Sequence, residues 1–400
     1  MRVRIKVSDT MTVLASTEER HARIPRTYRE HLHIQVGEYL HLKTKAGKTI
    51  SLLVQPALFI DAENYELTMY VTRQTFAQLD MEEMAVEIDT VEGITLGCDP
   101  ECIIMGADNR VVSACDKGIG SKTTDVGHDG MLLEFRPEPS LYEEEVVHNL
   151  YNLILKARDI INDSHTIENP NGVRLVARSY YDKLSVGFHI HFGIPKELIN
   201  TQVPTIFAAN QIVKALDYYL AVPCVLLEGD DYVRRSAIHI PYGKPGEYRL
   251  ENPTLEYRVL GGHILRHPTL ALGALAIGAM VVEDAVSRIR VFTNDYKDFE
   301  KLQSHEEFRG LYPNLPKDPM DVCKALCRKS QDLARGYIVN IFKDYEFMLT
   351  HKTHAHNITA FIECIMSNRP ISDDIEINWR TYYEQKQQGQ MEIHQASGQR

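Results

Sequence analysis

The chain has 400 residues, of which 44% are hydrophobic, and its 44 Lys and Arg against 55 Asp and Glu give a formal net charge of -11. That much apolar material suits one large core or two to three domains of about 150 residues, which excludes disorder throughout. The acidic balance excludes a basic nucleic-acid coat protein as a reading of the whole chain.

Residues 1 to 90 alternate short apolar runs with turn signals. Arg4-Ile5-Lys6-Val7, Ile50 to Val54 and Leu67 to Val71 favour strands by period and residue type. Between them, Ala22-Arg23-Ile24-Pro25, Tyr28 to Leu32, Val36-Gly37-Glu38 and Leu40 to Thr44 read as strand, short helix, glycine turn and strand. Residues 1 to 48 carry ten Lys and Arg against five Asp and Glu, whereas 49 to 90 carry one against eight. A basic face using Arg23, Arg26 and Arg29 would suit nucleic acid; a solvated face on an accessory domain is the plainer expectation, since no aromatic interleaving accompanies the charge.

From 91 to 368 the pattern changes to strands separated by long helices. Val146 to Ile161, Thr205 to Leu220 and Leu270 to Val291 have helical apolar spacing. The longest apolar run, Leu270 to Val282, is shorter than the roughly 20 residues of a membrane span and ends at Glu283-Asp284, so a core helix is expected. Strands and helices mix without βαβ regularity, which points to an α+β domain with a largely antiparallel sheet. Neither GxGxxG nor GxxxxGK[ST] occurs, so the two commonest phosphate loops are missing. The cysteines at 98, 102, 115, 224, 323, 327 and 364 include no CxxC, and no apolar leader follows Met1-Arg2-Val3-Arg4. Free thiols and a cytoplasmic setting are expected. Residues 369 to 400 are polar and Gln-rich and are expected to form a partly disordered tail.

Four segments place polar residues where core strands hold apolar ones. Asp99 and Glu101 lie two apart in Thr95 to Met105, so on a strand they share a face, and two buried carboxylates repel unless a cation lies between them. Glu134 sits among apolar neighbours in Met131 to Phe135, and His189 and His191 repeat the spacing in Val186 to Gly193. An arginine-rich stretch follows: Arg234 and Arg235, then Arg249, then Glu256 and Arg258. Asp125 to Gly130 reads as a polar glycine loop that either closes over a site or makes a tight turn. His351, His354 and His356 lack a Cys or acidic partner at zinc spacing. Glu143-Glu144-Glu145 suits the positive end of a helix.

This order, over Thr95 to Val259, resembles the bacteriophage-type carboxylate-amine ligases (amidoligases) of the glutamate-cysteine ligase and glutamine synthetase superfamily. Thr95-Leu96-Gly97 with Asp99 and Glu101 resembles a TLGxExE opening, His189 to Gly193 resembles HVHVG, and Leu255-Glu256-Tyr257-Arg258 resembles TLEYR. Residues 22 to 44 resemble swapped-hairpin and double-psi barrels, and some swapped-hairpin relatives bind DNA. The ligase resemblance implies a glutamine synthetase-like catalytic domain over 91 to 368, a curved antiparallel funnel with flanking helices; the barrel resemblance, outside that pattern, implies a small accessory β-barrel at 1 to 90. The ligase resemblance also implies ATP and Mg2+ as cofactors, with an amide formed through an acyl phosphate. Asp99, Glu101, Glu134, Glu256 and His191 would hold metal, Arg234, Arg235, His189 and His191 would meet the nucleotide, and Arg258, Arg249 and Glu256 would be catalytic. Strand alternation puts both histidines on one face and leaves their roles open. Carboxylate and amine substrates would be amino acids, peptides or proteins, with room for a macromolecular substrate at the barrel, for oligomerisation, and for a host-cell cytoplasm. The alternatives are phosphagen-kinase-like transfer and nucleic-acid binding by the barrel with an inactive body.

Overall fold

A computed structural model describes residues 2–7, 21–31, 34, 36–43, 49–57, 68–78, 86–87, 94–115, 119–121, 123–163, 172–195, 198, 203–237, 240, 242–251, 254–293, 312, 314–329, 331–348, 354–367 and 370–397. The chain divides into two compact units, Met1–Thr95 with Pro139–Leu141, and Leu96–Glu138 with Tyr142–Arg400. His351 lies outside the described residues.

The first unit holds strands β1 (Arg2–Val7), β2 (His21–Ile24), β3 (Tyr39–Lys43), β4 (Thr49–Pro56), β5 (Thr68–Val71) and β6 (Val86–Glu87). They form one sheet in the order β3-β4-β2-β5-β1-β6, with β1 and β5, and β2 and β4, parallel. Alternate residues build the core: Ala22 and Ile24, Leu40 and Leu42, Ile50, Leu52 and Val54, Met69 and Val71, joined by Tyr28 from the helix Arg26–His31. Among the described residues the strand order is linear, with no ladder closing a barrel. Arg23 is buried, and Arg29 Nε donates to the Ile24 carbonyl at 3.1 Å. Two of the three arginines considered for nucleic acid are therefore engaged within the unit itself.

The second unit contains β7 (Thr95–Met105), β8 (Val111–Val112), β9 (Val126–Asp129), β10 (Leu132–Phe135), β11 (Arg174–Val176), β12 (Tyr180–Tyr181), β13 (Leu184–Ser185), β14 (Phe188–Gly193), β15 (Tyr248–Glu251) and β16 (Thr254–Tyr257). Eight of these make one sheet along β15-β16-β14-β7-β10-β9, with β8 and β11 paired to the far end of β7, and β12 and β13 form a separate hairpin. The pairs β15 with β16, β16 with β14, β7 with β10 and β10 with β9 are antiparallel. The protein is thus α+β with an antiparallel sheet.

Strand alternation gives this sheet two unlike faces. Phe188, Ile190 and Phe192 of β14 and Leu255 and Tyr257 of β16 are buried on one side. The helix Pro268–Phe292 packs there: an added Cβ at Gly278 would come within 2.8 Å of the Phe192 ring, so glycine permits the close crossing. By length and composition alone this helix could cross a membrane, yet 83% of its most apolar window is buried inside the protein. His189, His191 and Glu256 alternate with these residues and point to the opposite face.

Two elements differ from expectation. The helix Val203–Leu216 runs into a π-helical turn, Asp217–Ala221, before Val222–Val225. Residues 369–400, expected as a frayed tail, include the helix Ile375–Ser397. Its first turns are anchored by Trp379, fully buried with Nε1 donating to the Leu265 carbonyl at 2.8 Å, and by Asn378 Nδ2 on the Arg266 carbonyl at 2.7 Å. One apolar side chain with a satisfied polar handle outweighs the polar composition around it. All seven cysteines are free.

Candidate active site

Register assembles the site. Glu134 of β10 lies opposite Glu101 of β7, His191 of β14 opposite Glu256 of β16, and Arg249 of β15 opposite Glu256. The neighbouring β7 and β14 are tied where Glu101 N donates to the Gly187 carbonyl at 2.9 Å and Gly187 N donates to Glu101 Oε2 at 2.6 Å. Five consecutive strands thus contribute acids, histidines and an arginine to one face.

At its centre Asp99, His191 and Glu256 each bring a ligand atom within 4.8 Å of the others. His191 Nε2 is 3.2 Å from Asp99 Oδ1, and His189 Nδ1 is 3.5 Å from both Asp99 Oδ1 and Glu256 Oε1. None of these approaches has hydrogen-bond geometry: Asp99 Oδ1, Glu256 Oε1 and His189 Nε2 are buried without a hydrogen-bond partner. Buried carboxylate oxygens left in this state call for a cation. Burial opposes ionisation of Asp99, but the two histidines outweigh it and hold its carboxyl below the usual range. Burial likewise disfavours charge on His191, and Asp99 and Glu256 reverse this and raise it. A hard divalent cation would balance the acids, and a mixed oxygen and imidazole donor set suits one. The residues therefore fit the metal that the resemblance implies.

The other acids are differently placed. Glu101, 2% exposed, accepts from Gly187 N and lies 3.1 Å from the Tyr242 hydroxyl through both oxygens. Burial raises its carboxyl, against His189, Gly187 N–H and Arg234. Glu134 pairs with Arg136, yet burial pushes it up to about 8, with Arg136 opposing and Asp99, Glu101 and Asp129 adding to the rise. Arg258 Nε stands 3.2 Å from Glu256 Oε1, also without hydrogen-bond geometry, and Arg249 Nε donates to Glu256 Oε2 at 2.5 Å from a half-exposed position.

Arg234 and Arg235, expected to meet a nucleotide, are both buried. Arg234 is fully buried, and its Nη1 and Nη2 donate to the carbonyls of Val259 at 2.6 Å and Arg258 at 3.1 Å. Arg235 forms a two-pronged ion pair with Glu228, Nη1 to Oε1 being 2.7 Å, and donates from Nε to the Leu326 carbonyl at 2.9 Å. Arg258 and Arg249 thus stand at Glu256 and Arg136 at Glu134, while Arg234 and Arg235 bind other groups of their own unit, Arg234 Nε being buried without a hydrogen bond. Residue patterns did not single out Tyr242 or Arg136. Asp125, in the polar glycine loop, accepts from Lys156 Nζ at 2.7 Å, and Arg136 Nη1 donates to the Thr124 carbonyl at 2.9 Å, so the loop is fastened to its own unit.

The acids and histidines thus form one cluster, flanked by arginines, on one face of an antiparallel sheet. Residues 96–308 match the family described as phage phiEco32-like COOH.NH2 ligase-type 2, and the chain belongs to that family of carboxylate-amine ligases. No curated protein matches in sequence. Similar solved structures include a bifunctional glutathione synthetase from Pasteurella multocida, at 12% identity and TM-score 0.34 over 68% of this chain and 52% of that one. The chain therefore spans about half the length of that relative. A glutamate–cysteine ligase from Francisella tularensis in complex with AMP is 12% identical at TM-score 0.33, over 74% and 98%. A glutamine synthase homolog is 14% identical at TM-score 0.30, over 75% and 82%. These superpositions are loose, and the strand order and register above define the fold.

Proposed function

We propose that this protein is an ATP- and Mg2+-dependent carboxylate-amine ligase acting through an acyl phosphate. The observation that carries the reading, beside family membership, is the pair of buried oxygens, Asp99 Oδ1 and Glu256 Oε1, without hydrogen bonds beside His191 and Arg258. Asp99, His191 and Glu256 would hold the cation, whose charge would favour the ionised form of Glu101 and Glu134 across the sheet. Bound Mg2+ would neutralise the charge that builds as the γ-phosphoryl group moves. Arg258 and Arg249 present guanidinium groups to a phosphate or a substrate carboxylate. In the first step a substrate carboxylate oxygen bonds to the γ-phosphorus and ADP leaves; in the second the amine nitrogen bonds to the acyl carbon, and phosphate and a proton leave. His189 lies between the two acids, its Nδ1 3.5 Å from Asp99 Oδ1 and from Glu256 Oε1.

Within this reading residues 1 to 90 are an accessory domain, a place for a larger carboxylate or amine substrate such as a peptide or protein, and the enzyme works in the cytoplasm. Calorimetry with Mg-ATP and an ADP-release assay over panels of carboxylates and amines test the proposal. Binding is expected in the wild type, ADP release is expected only when both substrates are present, and Glu256→Gln is expected to lose both. Absence of Mg-ATP binding, or wild-type behaviour of Glu256→Gln, would overturn the ligase reading. A phosphorylated product lacking a new amide, seen by mass spectrometry, would replace it with phosphotransfer.

A further inference from the structure

We propose that Tyr242 is a positioning residue for the metal and phosphate site: its hydroxyl aims the Glu101 carboxylate, and its ring seats Arg258. The inference rests on the ligase reading and extends it to a residue in a turn. The hydroxyl lies 3.1 Å from Glu101 Oε1, from Glu101 Oε2 and from the Ser185 carbonyl. It has one proton to give, and two of its three neighbours are the oxygens of Glu101. With Gly187 N on Oε2, the two donors fix the rotation of a nearly inaccessible carboxylate opposite Glu134. The ring carries the second half of the argument. The Arg258 guanidinium lies 4.8 Å from its centroid and that of Arg234 5.6 Å, while His189 meets it edge-on at 5.5 Å. One side chain thus meets four groups, Glu101 through its hydroxyl and Arg258, Arg234 and His189 through its ring.

The backbone holds Tyr242 in place. Gly243 has φ of +95°, and a Cβ there would fall 2.3 Å from Arg234 Nη1, so only glycine lets the turn lie on that guanidinium. Glu247 closes the turn, accepting from Gly243 N at 2.5 Å and Lys244 N at 3.0 Å. Arg234, which grips the carbonyls of Val259 and Arg258, therefore fastens the Tyr242 turn to the strand end that presents Glu256.

Tyr242→Phe keeps the ring and removes the hydroxyl, so packing alone would not register the change. With Mn2+ as probe in calorimetry on the full chain, Tyr242→Phe is expected to bind about tenfold more weakly than wild type, the usual effect of losing a support behind a metal site. Its melting temperature is expected to match wild type. Glu101→Gln is expected to weaken Mn2+ at least as much, and the double variant to be no worse than Glu101→Gln, because the hydroxyl acts through that carboxylate. Wild-type affinity in Tyr242→Phe, additive losses in the double variant, or a lowered melting temperature in Tyr242→Phe would each overturn the proposal while leaving the ligase reading in place. If the wild type itself binds no Mn2+, the metal reading falls and this inference with it.

Discussion

Arg235 and Arg258 separate two uses of the same side chain. Arg235 is spent on Glu228, both groups being nearly inaccessible, whereas Arg258 stands beside Glu256 with its Nε unpaired. Arg235→Ala would strand the Glu228 charge in the interior, and breaking such a pair costs about 3–5 kcal/mol. Arg258→Lys keeps the charge but loses the planar fork. Urea titration is expected to show the large loss for Arg235→Ala and near-wild-type stability for Arg258→Lys, while ADP release falls about a hundredfold in Arg258→Lys. Equal loss of stability in both would remove the distinction. The acids and histidines were legible in the sequence because a polar residue alternating with buried apolar ones on a strand must face something polar. The partner of Arg235 was not legible. Adjacent arginines suggest one inward and one outward, but the carbonyls of Val259 and Arg258 and the Glu228 carboxylate draw both inward. Tyr242 left no trace for a similar reason: a tyrosine in a turn has no periodicity, and its contact with Glu101 spans 141 positions.

Among elements, the hairpin of β12 and β13 stores strain beside the site. Its two turn residues, Asp182 at φ 43° and Lys183 at φ 67°, both adopt the left-handed region although neither is glycine. Two-residue hairpins need this geometry to match strand twist, and Asn-Gly or Asp-Gly is the economical solution. Here the hairpin delivers Ser185 beside Tyr242, and its Tyr181 hydroxyl donates to the Asn109 carbonyl at 3.2 Å. The Tyr181 bond holds the turn. Lys183→Gly is expected to stabilise the protein by about 1 kcal/mol, read as a higher urea midpoint with unchanged slope; an unchanged or lower midpoint would show that Lys183 makes a compensating interaction. Long helices were legible to within two or three residues, because the apolar repeat of Val146 to Ile161 and Leu270 to Val291 continues almost to their ends. The π-helical turn at Asp217 was hidden, since one extra residue per turn barely disturbs a window in which Asp217–Ala221 are all buried. What places Asp217 is tertiary: Tyr257 Oη donates to Asp217 Oδ1 at 2.7 Å.

For the whole molecule, the net charge of -11 describes a surface, whereas stability against acid depends on a few interior groups far apart in sequence. His263 is one of them. Its Nε2 lies 3.1 Å from the Cys224 carbonyl, which can only accept, so Nε2 carries the proton and Nδ1 accepts from the Ser179 hydroxyl at 2.8 Å. A second proton would add charge in a fully buried place; burial lowers the ring to about 4, with Glu228 opposing and Arg266 and Arg235 assisting. In the unfolded chain the same ring titrates near 6.5. Between these values the unfolded state binds more protons, so stability rises with pH from about 4 to 6.5 and is lost as pH falls through that window. Burial alone would raise Glu228, but Arg235 and His263 hold it at about 2, so its contribution persists above the ordinary carboxylate range and disappears only as pH falls from 4.5 toward 2. The two losses therefore occur in succession on acidification, His263 first. The His263 contribution alone amounts to up to about 3 kcal/mol between pH 4 and 6.5, and it is opposed in the wild type by Glu134, whose carboxyl burial raises to about 8 and which loses stability as pH rises above 4.5. The measurement is therefore the difference between wild-type and His263→Gln urea midpoints: the variant, lower throughout for want of a hydrogen-bonded ring, is expected to fall further behind the wild type as pH rises from 4 to 6.5. A variant curve parallel to wild type across that interval would assign the acid sensitivity to some other group and leave His263 with packing alone.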